Sequence, residues 1–380
     1  MVINKKFKLK HYINYIGVGL FLIITTTMMY TGMLNRSTAN LFTQISYSVI
    51  LAVSLNLVVG FLGELSLGHA GFMCVGAYLG CYFAKFLLGF ISSKLLVLIL
   101  SMLVGGIVAA VFGFIIGLPA LRLKGDYLAI VTLAFGEIVR SVFKNLDTFG
   151  GALGLSTRTY DTTLFIVSTV VVLIMLVLIQ NIIRSKHGRA ITAIRDNEIA
   201  AKSMGINITF YKLFVFVISA FFAGIAGVIY GHYATPVLYS FFSYNYSIEI
   251  LVMVVLGGMG SISGSIIAAT VITYINFVLT TNLSGDLAAL KYLIYAIILI
   301  SLIIFNNAPA LSPFKERLGG IKDKIYRAVI GKIRKNSEKN PANIEDDGAS
   351  WHRIPSKIKM DALLSVDITD KNNSNSKEDK

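Results

Sequence analysis

Charge is scarce in this chain. Of its 380 residues, 14% are Asp, Glu, Lys or Arg and 55% are apolar. A soluble globular domain carries about 25% charged residues, so an ordinary soluble fold is excluded. Two cysteines exclude a disulfide framework and a Cys-rich metal site. Cys74 and Cys81 stand seven apart in one expected helix and share a face, where they serve as small, soft packing residues. No G-x-x-x-x-G-K-S/T occurs, and the sole Gly-Lys pair, Gly331-Lys332, is followed by Ile. Nothing here cradles a nucleotide phosphate. C-x-x-C and H-E-x-x-H are missing, and the five histidines are scattered. Catalytic residues, metal ligands and bound cofactors are therefore expected to be none. Any chemistry coupled to this chain comes from a partner or an ion gradient.

What the chain has is apolar length. A helix crosses about 30 Å of hydrocarbon with about 20 apolar residues. Clear spans begin near Ile13, Leu41, Ala70, Leu95, Thr163, Tyr211, Ser265 and Leu290. Two weaker ones cover 127–143, with Glu137 and Arg140, and 246–260, with Glu249 and a glycine cluster. Ten spans place both termini on one side. Of the 19 Lys and Arg before residue 308, twelve fall on that side, and the tail adds fifteen. The positive-inside rule makes that side cytoplasmic. Dropping 127–143 would put the loop at 184–212 outside, with its six positive charges. The net charge of +14 is thus a membrane-orientation signal and does not point to nucleic acid. The uncharged stretch after His11 is longer than the apolar core of a signal peptide, so the first span is retained.

The expected organisation follows. Residues 1–12 form a basic cytoplasmic N-terminus, and 13–307 a transmembrane domain with an inner loop at 184–210. Residues 308–339 form a basic juxtamembrane segment that either lies on anionic lipid or simply obeys the charge rule. Ser, Asn, Asp and Lys dominate 340–380, a composition expected to be disordered. The fold class is all-α: a polytopic transmembrane bundle of about ten spans, some broken by glycines.

Four stretches exceed what a membrane anchor needs. In 56–71, four glycines loosen the helix, at about 1 kcal/mol each relative to Ala, beside Asn56, Glu64, Ser66 and His69. This reads either as a broken helix lining a passage or as a short turn between two ordinary spans. In 125–140, Glu137 and Arg140 stand at i, i+3 and pair on one face, either buried toward water or snorkelling at the outer interface. In 247–264, Glu249 precedes Gly257, Gly258 and Gly260, and Gly260 with Gly264 spells G-x-x-x-G, which lets helices approach closely. The fourth is the inner loop at 187–207, read as one amphipathic helix. Ala190, Ala193, Ile194, Ala201 and Met204 share a stripe, Glu198 and Lys202 form an i, i+4 pair, and Gly205 is the stop. A mostly alanine stripe suits a groove on a protein better than lipid.

In this order the four stretches resemble the permease of branched-chain amino-acid ABC importers of the LivM type. The resemblance rests on N-L-V-V-G-F at 56–61, L-S-L-G-H-A at 65–70 and G-A-Y at 76–78. It continues with Y-L-A-I-V-T-L-A-F-G-E-I at 127–138, G-G-x-x-G-L at 150–155, G-R-A-x-x-A-I-R-D-N-E-I-A-A-x-x-M-G-I at 188–206 and I-E-I-L-x-M-V-V-L-G-G-M-G-S at 248–261. It covers about 41–305.

The resemblance implies the partners: a homologous second permease, two cytoplasmic ATPases that bind ATP and Mg, and an extracytoplasmic amino-acid-binding protein, all at the bacterial plasma membrane. It implies that the inner loop holds a coupling helix, with Gly188, Arg189, Arg195, Asp196, Asn197, Glu198, Ala200, Ala201 and Gly205 at the ATPase. Asn56, Ser66, His69, Glu137, Arg140, Glu249, Gly257, Gly258 and Gly260 are the candidate pathway residues. The loops around 150–158 and 232–244 would meet the binding protein. Glu64 departs from the family, as a charge where neutral residues are commoner, and so does the long polar tail. Two alternatives stay open. One is an ABC permease of the same superfamily for urea, another amide or a simple sugar. The other is an ion-coupled secondary transporter using Glu137, Arg140 and Glu249.

Overall fold

The computed structural model of the protein describes residues 36–123, 125–157 and 161–282, together with 296, 297 and 300. The chain divides into the units Met1–Asn307 and Ala308–Lys380, and every described residue belongs to the first. The expected span near Ile13 lies outside the described residues, as do the tail segments and, apart from residues 296, 297 and 300, the expected span near Leu290.

The described residues form ten α-helices. They are α1 (Arg36–Asn56), α2 (His69–Leu87), α3 (Lys94–Ala120), α4 (Asp126–Asn145), α5 (Asp161–Arg184), α6 (Lys186–Asp196), α7 (Glu198–Ser203), α8 (Ile208–Tyr233), α9 (Tyr244–Gly257) and α10 (Ile262–Asn282). Helix is the only regular structure that closes every backbone hydrogen bond within one crossing segment, which lipid demands. Six segments are long and apolar enough to cross a bilayer: Ser37–Leu62, His69–Leu87, Lys94–Ala120, Thr163–Arg184, Ile208–Tyr233 and Ile262–Thr281. They match six of the expected spans.

The two weaker spans come out differently from each other. The charged one is a continuous helix of 20 residues, α4. The other, α9, has 14 residues, or about 21 Å at 1.5 Å per residue, which is short of the hydrocarbon thickness. Its apolar composition runs on to residue 260, but the helix stops at Gly257 because Gly258 and Gly260 turn the chain with φ of 87° and 79°. Gly260 is thus a turn residue, and the expected G-x-x-x-G contact with Gly264 is replaced by Gly257 packing on the Gly264 backbone.

Helix α1 is the hub, 94% buried along its span and packed by α5, α8, α9 and α10. A second body is the tight triple of α2, α3 and α8. Glycine sets its spacing: a Cβ at Gly76 of α2 would land on the Gly224 backbone of α8. Gly80 and Gly105 both rest on Val228, so three backbones meet where side chains normally intervene. The outer face of α3 is apolar and exposed, with Leu96, Ile107 and Ile115 on it.

Between α1 and α2 the chain makes a π-helical turn, Leu57–Leu62, and then six non-helical residues, 63–68. Protein covers this short connection. The Leu67 N–H donates to Thr132 Oγ1 of α4 (3.0 Å) and the Ala70 N–H to Ser247 Oγ of α9 (3.1 Å).

Candidate functional site: the inner-loop arm and its anchors

The inner loop is two helices with a corner. Ser185 caps α6 by accepting hydrogen bonds from the His187 and Gly188 N–H groups (3.1 and 3.4 Å). Gly188, Ile191 and Ile194 bury the inner face of α6, and a Cβ at Gly188 would strike the Ile183 backbone. Asn197 is extended (φ −159°, ψ 104°), ends α6 and caps α7 by accepting from the Ala200 N–H (3.0 Å). The single helix expected over 187–207 is therefore corrected. Asn197 is a strong N-cap type, and it starts a second helix at an angle to the first. Gly205 is the stop, with φ 80°. The Ile206 N–H bonds the Ala201 carbonyl (3.1 Å) and the Gly205 N–H that of Lys202 (3.0 Å), which is a Schellman closure.

The corner redistributes the stripe. Ala201 and Ile194 are buried in the chain's own bundle, whereas Met204 is 83% and Ile199 79% exposed. The alanine stripe thus faces inward, and the outward apolar pair is Ile199 with Met204. Ala200 lies exposed beside them, and Arg189 is exposed on α6.

Two cations anchor this arm. Arg195 holds Asp196 Oδ1 with Nε and Nη2 (3.0 and 2.9 Å) and donates from Nη1 to the Gly60 carbonyl (3.1 Å). That carbonyl lies in the last turn of the π-helical segment, where a cation complements the helix dipole. Lys212, at the start of α8, has its Nζ 2.5 Å from Glu64 Oε1 and 3.5 Å from Glu198 Oε2. Its side chain is 4% exposed. Glu64 and Lys212 were missing from the sequence-derived site. They lie 148 positions apart, and the one available signal was that Glu64 is a charge in an otherwise apolar, glycine-rich stretch.

The candidate pathway residues fall into three places. Asn56, Gly257, Gly258 and Gly260 meet beside the arm. Asn56 Nδ2 donates to the Ser261 carbonyl (3.1 Å) and Ser265 Oγ (2.9 Å), and its Oδ1 accepts from the Gly260 N–H (2.9 Å). Next come Ser66 and His69, both buried. His69 Nε2 is 2.9 Å from Ser54 Oγ, and Ser66 Oγ is without a hydrogen bond among the described residues. The third place is the opposite end of the bundle, where α5 begins and α8 ends. There Glu137 pairs with Arg140 (2.5 Å) and accepts from the Tyr244 N–H at the start of α9 (3.0 Å). Glu249 stands further along α9, its Oε1 accepting from Asn276 Nδ2 of α10 (3.3 Å).

That same end joins the two loops expected to meet a binding protein. Leu155 and Val237 exchange backbone hydrogen bonds (3.1 and 2.9 Å), and Tyr78 Oη donates to the Val237 carbonyl (3.0 Å). Gly150, Gly151 and Gly154, all with positive φ, turn Leu153 outward, where it is exposed. Among the described residues no group of His, Cys, Asp and Glu could hold a metal ion.

The family described as branched-chain amino acid transport system, permease component, matches residues 37–303. The chain belongs to that family. Among curated proteins it is 35% identical over 291 residues to the high-affinity branched-chain amino acid transport system permease protein LivM of Salmonella typhimurium, covering 67% of this chain and 66% of the relative. It is 36% identical over 275 residues to the protein of the same name in Escherichia coli K12, covering 62% of each. A probable LivM permease of Methanocaldococcus jannaschii is 26% identical over 333 residues, 74% of this chain and 95% of the relative. The chain spans 62–66% of the length of the two bacterial relatives. No solved structure matches it. Family membership fits a multi-pass membrane permease.

Proposed function

We propose that this chain is the permease subunit of an ATP-driven importer of branched-chain amino acids in the bacterial cytoplasmic membrane. The observation that carries the reading is α7. It is a short helix locked at both ends by Asn197 and Gly205, anchored by ion pairs at its base, and presenting Ile199 and Met204 to solvent. A rigid knob with two apolar anchors is what a groove on a motor subunit grips.

On this reading the arm faces the cytoplasm and both termini lie there. Two ATPase subunits bind ATP and Mg, because this chain has no phosphate loop. A homologous second permease completes the passage. The binding protein delivers its cargo at the Leu153 end, where the joined loops offer a rigid platform. A zwitterion with an aliphatic side chain suits a bundle whose interior is apolar with sparse hydroxyls. ATP drives uptake because nucleotide and cargo bind two conformations with different affinity. The acids an ion-coupled carrier would use are engaged otherwise: Glu137 holds Arg140 and the start of α9, and Glu249 holds Asn276. Urea and simple sugars remain as cargo tests. Radiolabelled leucine, isoleucine, valine and urea uptake is measured in cells lacking and regaining the gene. Restored leucine, isoleucine and valine uptake with unchanged urea uptake is the expected result; urea uptake alone overturns the cargo.

A further inference from the structure

A buried ammonium between two carboxylates sits where the arm meets the bundle. Lys212 belongs to α8, Glu198 to α7 and Glu64 to the connection between α1 and α2. The triad therefore touches three segments that share no continuous helix. Lys212 and Glu64 are largely withdrawn from water, at 4% and 13% exposure, while Glu198 is 32% exposed. Removing one partner of a buried ion pair is strongly destabilising, because the other is left without a counter-charge. The pair is therefore rigid in a way that a surface ion pair is not.

A second, parallel tie lies beside it. Arg195 of α6 reaches the Gly60 carbonyl, four residues before Glu64. Asn56, one helical turn earlier, bonds Gly260 and Ser261 in the α9–α10 turn. The sequence of contacts runs from arm to connection to turn without a gap.

We propose that Lys212 is a positioning residue that clamps α7 to the α1–α2 connection, so that displacement of the arm is passed directly into the gapped segment at 63–68 and the α9–α10 turn. Within the importer reading, on which this rests, Lys212 converts motor motion into movement of the spans. The closer contact, to Glu64, belongs to the bundle; the longer one, to Glu198, belongs to the arm.

The test uses the assembled transporter in liposomes with its binding protein, measuring ATP hydrolysed per leucine imported. Lys212→Met and Glu64→Ala are each expected to raise that ratio about tenfold, within the usual range of coupling between sites, while the ATPases still co-purify. Lys212→Arg is expected to keep the wild-type ratio. Glu64 lies in the bundle, so a loss there does not come from failed docking of a motor. Wild-type ratios in both Lys212→Met and Glu64→Ala overturn the clamp, even if both lower thermal stability. If Lys212→Met fails to assemble, Glu198→Ala decides, because it leaves the Lys212–Glu64 pair in place: a raised ratio with the ATPases still bound supports the clamp, and a wild-type ratio, or a raised ratio that tracks loss of the ATPases, overturns it. A wild-type complex that shows no ATP-dependent uptake is a different failure. It removes the importer reading, and the clamp falls with it.

Discussion

Replacing Asn56 with alanine removes the side chain that ties α1 to the α9–α10 turn. Three hydrogen bonds disappear: two from Nδ2, to the Ser261 carbonyl and Ser265 Oγ, and one from the Gly260 N–H to Oδ1. Their losses are unequal. The Ser265 hydroxyl already donates to the Ser261 carbonyl (3.2 Å), so those two groups keep each other. The half-buried Gly260 N–H loses its acceptor beside the Gly60 backbone, at the low end of the about 1–3 kcal/mol that an unsatisfied buried donor costs. The two Nδ2 bonds add about 0.5–1.5 kcal/mol each, less what the serine pair retains. The total is about 3 kcal/mol, a factor of about 100 in equilibrium constant. Denaturant titration in detergent micelles measures it. Ser265→Ala, which removes one acceptor of Nδ2, is expected to cost about 1 kcal/mol. A change below about 0.5 kcal/mol in Asn56→Ala, the size of an ordinary surface substitution, rules out Asn56 as the tie between α1 and the α9–α10 turn. So does a larger loss in Ser265→Ala.

Four further outcomes follow from the contacts described above. Gly76→Ala drives a Cβ into the Gly224 backbone and is expected to cost about 2–3 kcal/mol by overpacking, seen as lost monodisperse protein in size exclusion. Gly205→Ala, with open space around its Cβ, is expected to cost only about 1 kcal/mol of left-handed backbone strain. Glu137→Ala frees both Arg140 and the start of α9, and is expected to cost about 1–2 kcal/mol in thermal unfolding. Arg140→Ala, which spares the Tyr244 contact, costs less, and equal losses contradict the capping role. Ile199→Asp with Met204→Asp is expected to abolish ATPase retention in pull-down with bundle stability changed by less than about 0.5 kcal/mol.

Much of this fold could be read before the structure, for physical reasons that differ by element. Span existence is set by apolar length, so six helices stand where composition puts them. The extent of α9 is not, because an apolar run does not say where glycines turn the backbone; Gly258 and Gly260 cut it short. Gly205 was legible as a helix end, since a left-handed stop favours glycine. Asn197 was legible by type but was read inside one helix, because periodicity across 187–207 is nearly continuous. The corner at Asn197 turns the alanines inward and leaves Met204, of the expected stripe, outward with Ile199. The Glu64–Lys212 contact was beyond sequence periodicity, as it depends on bringing the α1–α2 connection and the foot of α8 together. Of the candidate pathway residues, Asn56 and the glycines meet beside the arm, whereas Glu137 and Arg140 sit at the far end as a helix tie.

The decisive question is whether transport requires an external motor acting through α7. The most direct measurement is leucine flux into liposomes holding this chain with its partner permease, with and without the ATPases, binding protein and ATP. Accumulation is expected only when all are present, and none after Ile199→Asp with Met204→Asp. Accumulation at undiminished rate with no ATPase present contradicts that requirement.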